Sequence, residues 1–359
     1  MFRVDAPEHG GARIADALLA HGIQHLFTLC GGHISPILTG ARARGLAVID
    51  CRDEKSAVFA ADAAARMTGR PGVAAVTAGP GVTNTLTALK NAQLAESPVL
   101  LFGGATATVL KGRGALQDID QQALLRSSVK WMGRCTSVPS LGAMVDKALR
   151  IAADGVPGPV FLEVPLDVLY PESTVKEMFA KELGGTKGLA KRALGAFLEA
   201  HFYRQFRLPQ LDVGVWPRQE RGLRSKELAR HANTLAGWLR QAKRPVLVVG
   251  SQTLANCVDP TPIADAIARL GVPTWLGGTA RGLLGRDGRG VQFRHKRSRA
   301  LKEADLVIVA GFPFDFRMKY GLGFARGAKV VSANLSKAAL TKNRTPDLAL
   351  HAHPAEVLV

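Results

Sequence analysis

Cysteine is scarce in this 359-residue chain, and the four present, Cys30, Cys51, Cys135 and Cys257, include no C-x-x-C pair. Their spacing suits neither a zinc site nor a disulfide framework, so they read as small buried hydrophobes. Long apolar runs are missing too. No stretch approaches the ~20 residues that span a bilayer. The N-terminus, MFRVDAPEHGG, has no basic region ahead of an apolar one. Neither a membrane partner nor a secretory leader is expected, and the chain reads as cytoplasmic. Acidic residues are few: 29 Asp+Glu face 47 Lys+Arg, a net charge of +18. The shortage is uneven, for residues 1–170 carry 16 Lys+Arg and 14 Asp+Glu whereas residues 171–359 carry 31 and 15. No RNA-binding signature and no helix-turn-helix with a basic helix accompanies the excess, which argues against a nucleic-acid partner. A small acidic ligand, such as a phosphorylated cofactor or a coenzyme A ester, and a merely solvated basic face both fit it.

What the chain does have is a repeated strand–turn–helix order. Apolar residues make up 47% of it, enough for real cores. A helix at 11–21 is followed by strands at 25–29, 46–50, 73–77, 98–103 and 159–164, with helices at 34–44, 54–68, 82–95 and 140–153. The strands are continuous apolar runs, the mark of a parallel sheet covered on both faces. Residues 171–224 lose this periodicity and read as a linker with one amphipathic helix near 189–203. From 225 the pattern returns, with helices at 226–242, 260–270 and 296–303 and strands at 245–250, 272–276, 305–311 and 329–334. The expected fold is α/β, two doubly wound parallel-sheet domains covering 1–170 and 225–359.

Ligands of such sheets sit beyond the carboxyl ends of the strands, near helix N-termini. Three loops bring unusual residues there. Glu54 lies after a strand and in the first turn of a helix, where an acid either offsets the helix dipole or, in apolar surroundings, acts as a proton carrier. Gly79-Pro80-Gly81 lets the backbone approach a flat ligand, with free N–H groups expected at the helix start. The polar loop 111–124 presents Gln117 and Gln121 as amide donors.

The order Gly31-Gly32, then strand–Glu54–helix, then strand–GPG-V-T-N–helix, then Gly114-Ala115-Leu116-Gln117 resembles the pyrimidine-binding domain of thiamine diphosphate enzymes. GPVFLEVPLDVLYP at 158–171 is similar to the segment that ends that domain. KRPVLVVGSQ at 243–252 and ARGLLGR at 280–286 resemble the family's Rossmann-like middle domain. FTLCGGHISPIL (27–38), AVFAADAAARMTG (57–69), VAAVTAGPGVTNT (73–85) and ALKNAQLAESP (88–98) are close to the acetolactate synthase-like, 2-hydroxyacyl-CoA lyase branch. The resemblance implies a thiamine diphosphate-dependent carbon–carbon lyase or synthase acting on 2-hydroxyacyl-CoA or 2-oxo acids. Glu54 falls on the glutamate that hydrogen-bonds the cofactor's aminopyrimidine, and Gln117 on the glutamine that faces substrate. Gly31, Gly32, His33, Gly79, Pro80, Gly81 and Asn84 fall on loops that line the cofactor, although His33 reads equally well as a packed histidine.

Cys30 before Gly31-Gly32, and Leu116 before Gln117, depart from synthases proper and lean toward the lyase side. The family also holds the diphosphate through Mg²⁺ with a third domain carrying G-D-G and then N-N. The nearest match here, Gly285-Arg286-Asp287-Gly288, lacks that order. The expectation is thus a chain without metal ligands or a diphosphate-binding domain, incomplete or split, with magnesium supplied through a missing or separate domain. A homo-oligomer or a separate diphosphate-domain chain follows as the partner. The middle domain is expected to bind FAD or an adenine nucleotide such as coenzyme A, helped by Arg281, Arg286, Arg294, Lys296, Arg297 and Arg299. A non-catalytic remnant or a regulatory subunit is the alternative.

Overall fold

The structure, a computed structural model, describes residues 9–182, 188–210 and 225–359. The first eight residues and most of the Pro/Gly-rich part of the expected linker lie outside the described residues. The chain divides into two compact units, one ending at Pro217 and the other starting at Arg218.

In the first unit, α1 (Gly10–Ala20), β1 (His25–Thr28), α2 (Ser35–Ala43), β2 (Ala47–Asp50), α3 (Glu54–Thr68) and β3 (Gly72–Val76) follow the expected order. Then come α4 (Pro80–Asn84), α5 (Leu86–Leu94), β4 (Val99–Ala105), α6 (Gln121–Leu125), β5 (Trp131–Arg134), α7 (Leu141–Ala153), β6 (Val160–Pro165) and α8 (Leu166–Leu169). The sheet is wholly parallel with order β2-β1-β3-β4-β6-β5. Its central strands β3, β4 and β6 are buried along their whole length, which is why they are unbroken apolar runs. Phe102 on β4 and Phe161 on β6 are fully buried, each contributing ~1.5–3 kcal/mol of transfer free energy. The edge strand β2 is the opposite case, with Ala47, Ile49 and Asp50 exposed.

Three expectations change. The helix expected at 82–95 is two helices meeting at Thr85, whose buried hydroxyl donates back to the Val82 carbonyl at 2.7 Å, and the first helix starts earlier, with Pro80 at its opening position. β5 was not expected, because W-M-G-R is too short and too polar to read as a strand. The expected linker begins with α9 (Glu172–Glu182) and continues with α10 (Gly188–Arg207), two helices in place of one. Val175 and Phe179 of α9 and Phe202 of α10 are buried together with Ala107 and Tyr170 of the first unit.

The second unit contains α11 (Ser225–Gln241), β7 (Pro245–Val249), α12 (Thr261–Leu270), β8 (Thr274–Leu276), α13 (Arg297–Glu303), β9 (Leu306–Ala310), β10 (Lys329–Asn334), α14 (Lys337–Thr341), β11 (Leu348–His351) and α15 (Pro354–Leu358). Its parallel sheet has the order β11-β10-β9-β7-β8. β11 is an added strand beyond the expected last one. Both sheets reverse direction where the chain first turns back, between β1 and β3 in the first and between β7 and β9 in the second, and such reversals open a crevice at the carboxyl edge.

Candidate active site

At the first reversal, the turns after β1 and β3 lie side by side, and the turn after β2 supplies Glu54. Asp53 caps α3 by accepting the Ser56 N–H at 2.8 Å, which sets Glu54 in the helix's first turn. Glu54 is buried, with 8% of its surface exposed. Its Oε2 accepts from Asn84 Nδ2 at 2.9 Å. Its Oε1 makes no hydrogen bond among the described residues and lies 3.5 Å from where a Cβ on Gly81 would stand. One oxygen is fixed and the other is open.

A second pair joins the same helices farther along. Asn91 Nδ2 on α5 donates to Asp62 Oδ2 on α3 at 3.0 Å, and Arg66 Nε donates to Asp62 Oδ1 at 2.7 Å. Both oxygens of Asp62 are therefore engaged, and it is buried as well.

The glycine turns are shaped by close approach. A Cβ on Gly31 would stand 2.4 Å from Thr77 Cβ, and one on Gly81 would stand 2.8 Å from Thr77 Cγ2. Gly79 has φ of 61°, and a Cβ there would stand 2.9 Å from the Gln117 carbonyl oxygen. Larger residues would push these walls apart. Gly32 has open space around it.

Of the free N–H groups expected at this turn, only that of Val82 makes no hydrogen bond among the described residues. Gly79 N–H donates to Gln121 Oε1 at 2.9 Å, Gly81 N–H points to the Ala78 carbonyl at 3.4 Å, and Pro80 has none. The turn thus offers a close, neutral wall rather than an anion cradle. The buried Gln121 completes a cross-tie, because its Nε2 donates to the Gly104 carbonyl at 3.1 Å. The sequence marks its amide but not this role, and no motif marks Thr77.

His33 is half-buried. Its Nδ1 lies 3.4 Å from Thr77 Oγ1, and its Cβ is 2.6 Å from where a Cβ on Gly104 would stand, so it is both packed and part of the site wall. Burial holds its pKa below the ordinary imidazole value, which keeps the ring neutral near pH 7. Gln117 adopts φ of 61°, and its side-chain amide has no hydrogen bond among the described residues. It lines a polar cavity of about 160 Å³ with Gln121, Lys111 and the ion pair of half-buried Arg134 with buried Glu163. Glu54, Asn84, Gly31, His33 and Gly81 are thus linked through Thr77 and the Glu54–Asn84 bond, and Gln117 meets them at Gly79.

The second unit assembles less. Among its basic residues, Arg299 pairs with Glu303 at 2.8 Å, Arg297 donates to the Arg317 carbonyl at 2.7 Å, and Arg294 to the Arg286 carbonyl at 3.3 Å. Arg281, Arg286 and Lys296 are exposed, as is Asp287. Among the described residues no three His, Cys, Asp or Glu side chains cluster in a metal-holding group. No helix among them is long and apolar enough to cross a membrane.

Comparison with known proteins bears on this geometry. The family model "Thiamine pyrophosphate enzyme, N-terminal TPP binding domain" matches residues 8–124, and "Thiamine pyrophosphate enzyme, central domain" matches residues 232–359. The chain is 45% identical over 367 residues to 2-hydroxyacyl-CoA lyase 2 of Caenorhabditis elegans, covering 100% of this chain and 56% of that protein. It is 43% identical over 340 residues to 2-hydroxyacyl-CoA lyase 2 of Homo sapiens, covering 93% and 52%. To a probable acetolactate synthase of Mycobacterium bovis it is 31% identical over 326 residues, covering 91% and 53%. The chain spans about half the length of these curated relatives.

Proposed function

The chain belongs to the thiamine pyrophosphate enzyme family, and from that premise we propose that it forms the pyrimidine side of a site that breaks the C1–C2 bond of a 2-hydroxyacyl-CoA. The hydroxyl-bearing carbon would leave as an aldehyde, giving up its hydroxyl proton, and the thioester carbon would take up a proton and leave as formyl-CoA. The same machinery run on 2-oxo acids is the synthase variant, and the higher identity to lyases than to a synthase favours the lyase.

The observation that carries the proposal is the half-committed Glu54. The residues present fit an aminopyrimidine: a close neutral wall at Gly79-Pro80-Gly81, free space at Gly32, and a buried carboxyl with one open oxygen. When bound, thiamine diphosphate supplies the electron sink for C–C cleavage. Glu54 Oε1 would hold and pass a proton at the ring nitrogen, while Asn84 fixes the carboxyl's rotation. Thr77, Gly31 and Gly81 would define how closely the ring can approach. His33, neutral, and Gln117, with its uncommitted amide, would face substrate. The diphosphate and its Mg²⁺ are assigned in this proposal to a partner subunit or a further part of the protein, so a homo-oligomer or partner chain is part of it. The exposed Arg281, Arg286 and Lys296 would meet the phosphates of coenzyme A, or of FAD, in the second unit.

The test uses the whole protein. Calorimetry with thiamine diphosphate and Mg²⁺ measures binding, and aldehyde release from a 2-hydroxyacyl-CoA measures turnover. Glu54→Gln should keep a fold of unchanged thermal stability and lose turnover. Undiminished turnover in that variant would reject the assignment.

A further inference from the structure

Beside the candidate site lies a second cavity, of about 360 Å³, within the size range of small-molecule pockets. Leu110, Leu116, Leu166, Val175, Met178 and Phe179 give it apolar walls. His33 belongs to its lining as well as to the glycine-turn site, so the two spaces meet at one imidazole. The far wall is α9, from the segment that reads as a linker. α9 is anchored to α10: Phe179, itself part of the lining, packs on Phe202 with ring centres 5.7 Å apart, and Glu172 pairs with Arg207 at 2.7 Å. The wall is held in place without closing the pocket. The lining is polar at one end, where Arg113 and Asp167 stand: Asp167 Oδ2 accepts from the Thr108 N–H at 3.0 Å and from the Thr108 hydroxyl, and its buried Oδ1 makes no hydrogen bond among the described residues.

We propose that this pocket takes the hydrocarbon tail of the acyl substrate, with the reacting carbon at the His33 end and α9 setting the tail length accepted. The proposal rests on the 2-hydroxyacyl reading above and adds to it the chain-length determinant. An apolar cavity opening at a reaction site gains from an apolar occupant, because each methylene removed from water contributes ~0.8 kcal/mol. Met178 is half-buried and unbranched, so it can adapt to the tail, and it can be changed without touching the glycine turns.

Two readouts test this on the whole protein. The first is displacement of a fluorescent C16 fatty acid, which needs no turnover. The second is kcat/KM for 2-hydroxyacyl-CoA substrates with C4 and C16 tails. Met178→Trp, which fills the cavity, should weaken probe binding and C16 turnover by about tenfold or more and leave C4 turnover unchanged. Met178→Ala should shift the preference toward longer or branched tails. Leu110→Trp is a second filling variant, and thermal unfolding confirms that each variant folds. If both Trp variants leave probe binding and the C16-to-C4 ratio unchanged, the pocket assignment is overturned while the lyase reading stands. If the probe binds and is lost in the Trp variants but no 2-hydroxyacyl-CoA is cleaved, the pocket stands and the lyase reading falls.

Discussion

Asn84 and Asn91 each reach across from the α4–α5 segment to a carboxylate on α3, one at Glu54 and one at Asp62, at 2.9 and 3.0 Å. Both carboxylates are buried and both receive the same amide donor. The difference is the second oxygen. Asp62 gives it to Arg66, one turn along its own helix, and is thereby a finished structural pair. Glu54 leaves it open beside Gly81. Burial and hydrogen bonding alone therefore do not distinguish a strut from a reactive group. Nor does an unused oxygen by itself, since Glu163 Oε2 and Asp167 Oδ1 are buried without a hydrogen bond too; what sets Glu54 apart is an open oxygen beside the glycine turn, where a ligand can supply the missing partner.

The contrast can be broken by exchange of roles. Glu54→Gln should reduce turnover by ~10²–10⁴, the range of general acid–base catalysis, with little change in urea midpoint. Asp62→Ala should do the reverse, lowering stability by ~2–3 kcal/mol because Arg66 and Asn91 lose a buried partner, while turnover per folded molecule is retained. Equal effects of the two on turnover would erase the distinction. Asn84→Ala removes one bond to a carboxylate, worth ~1.5 kcal/mol or more, and should lower kcat about tenfold without a matching loss of stability. Asn91→Ala should shift only the unfolding midpoint.

The smallest expected effect concerns pH. Burial depresses the pKa of His33, and burial with the nearby Arg44 depresses that of His9. On unfolding both return to about 6.5, so the unfolded chain binds more protons in acid. The stability they contribute is present above about pH 6.5 and is lost as pH falls through the lower folded values. His33→Gln should flatten part of that slope in thermal melts, and an unchanged slope would show that His33 is not the group responsible.

Much of this was legible in the sequence, for physical reasons that also explain the rest. β3, β4 and β6 are covered on both faces, so their burial is written as unbroken apolar runs. β5 and β11 are short edge strands, and Arg134 and His351 at their ends hide them. Glu54 was legible because its position follows from the order of strand, turn and helix. The Gln121 bond to Gly79 joins residues 42 apart in the chain, and nothing local marks which glutamine of that loop turns inward and which stays free. α9 has its apolar residues at helical spacing, Val175, Met178 and Phe179, but the charged residues between them made the segment read as linker.

One feature of the first sheet bears on handling rather than on chemistry. β2 is an edge strand with Ile49 exposed, and its outer row of peptide groups pairs with no strand of its own sheet. Such an edge is a template for strand addition. Concentrated preparations of this chain should lose material first through that seam, and a lysine at Ile49 is the single change that would guard it.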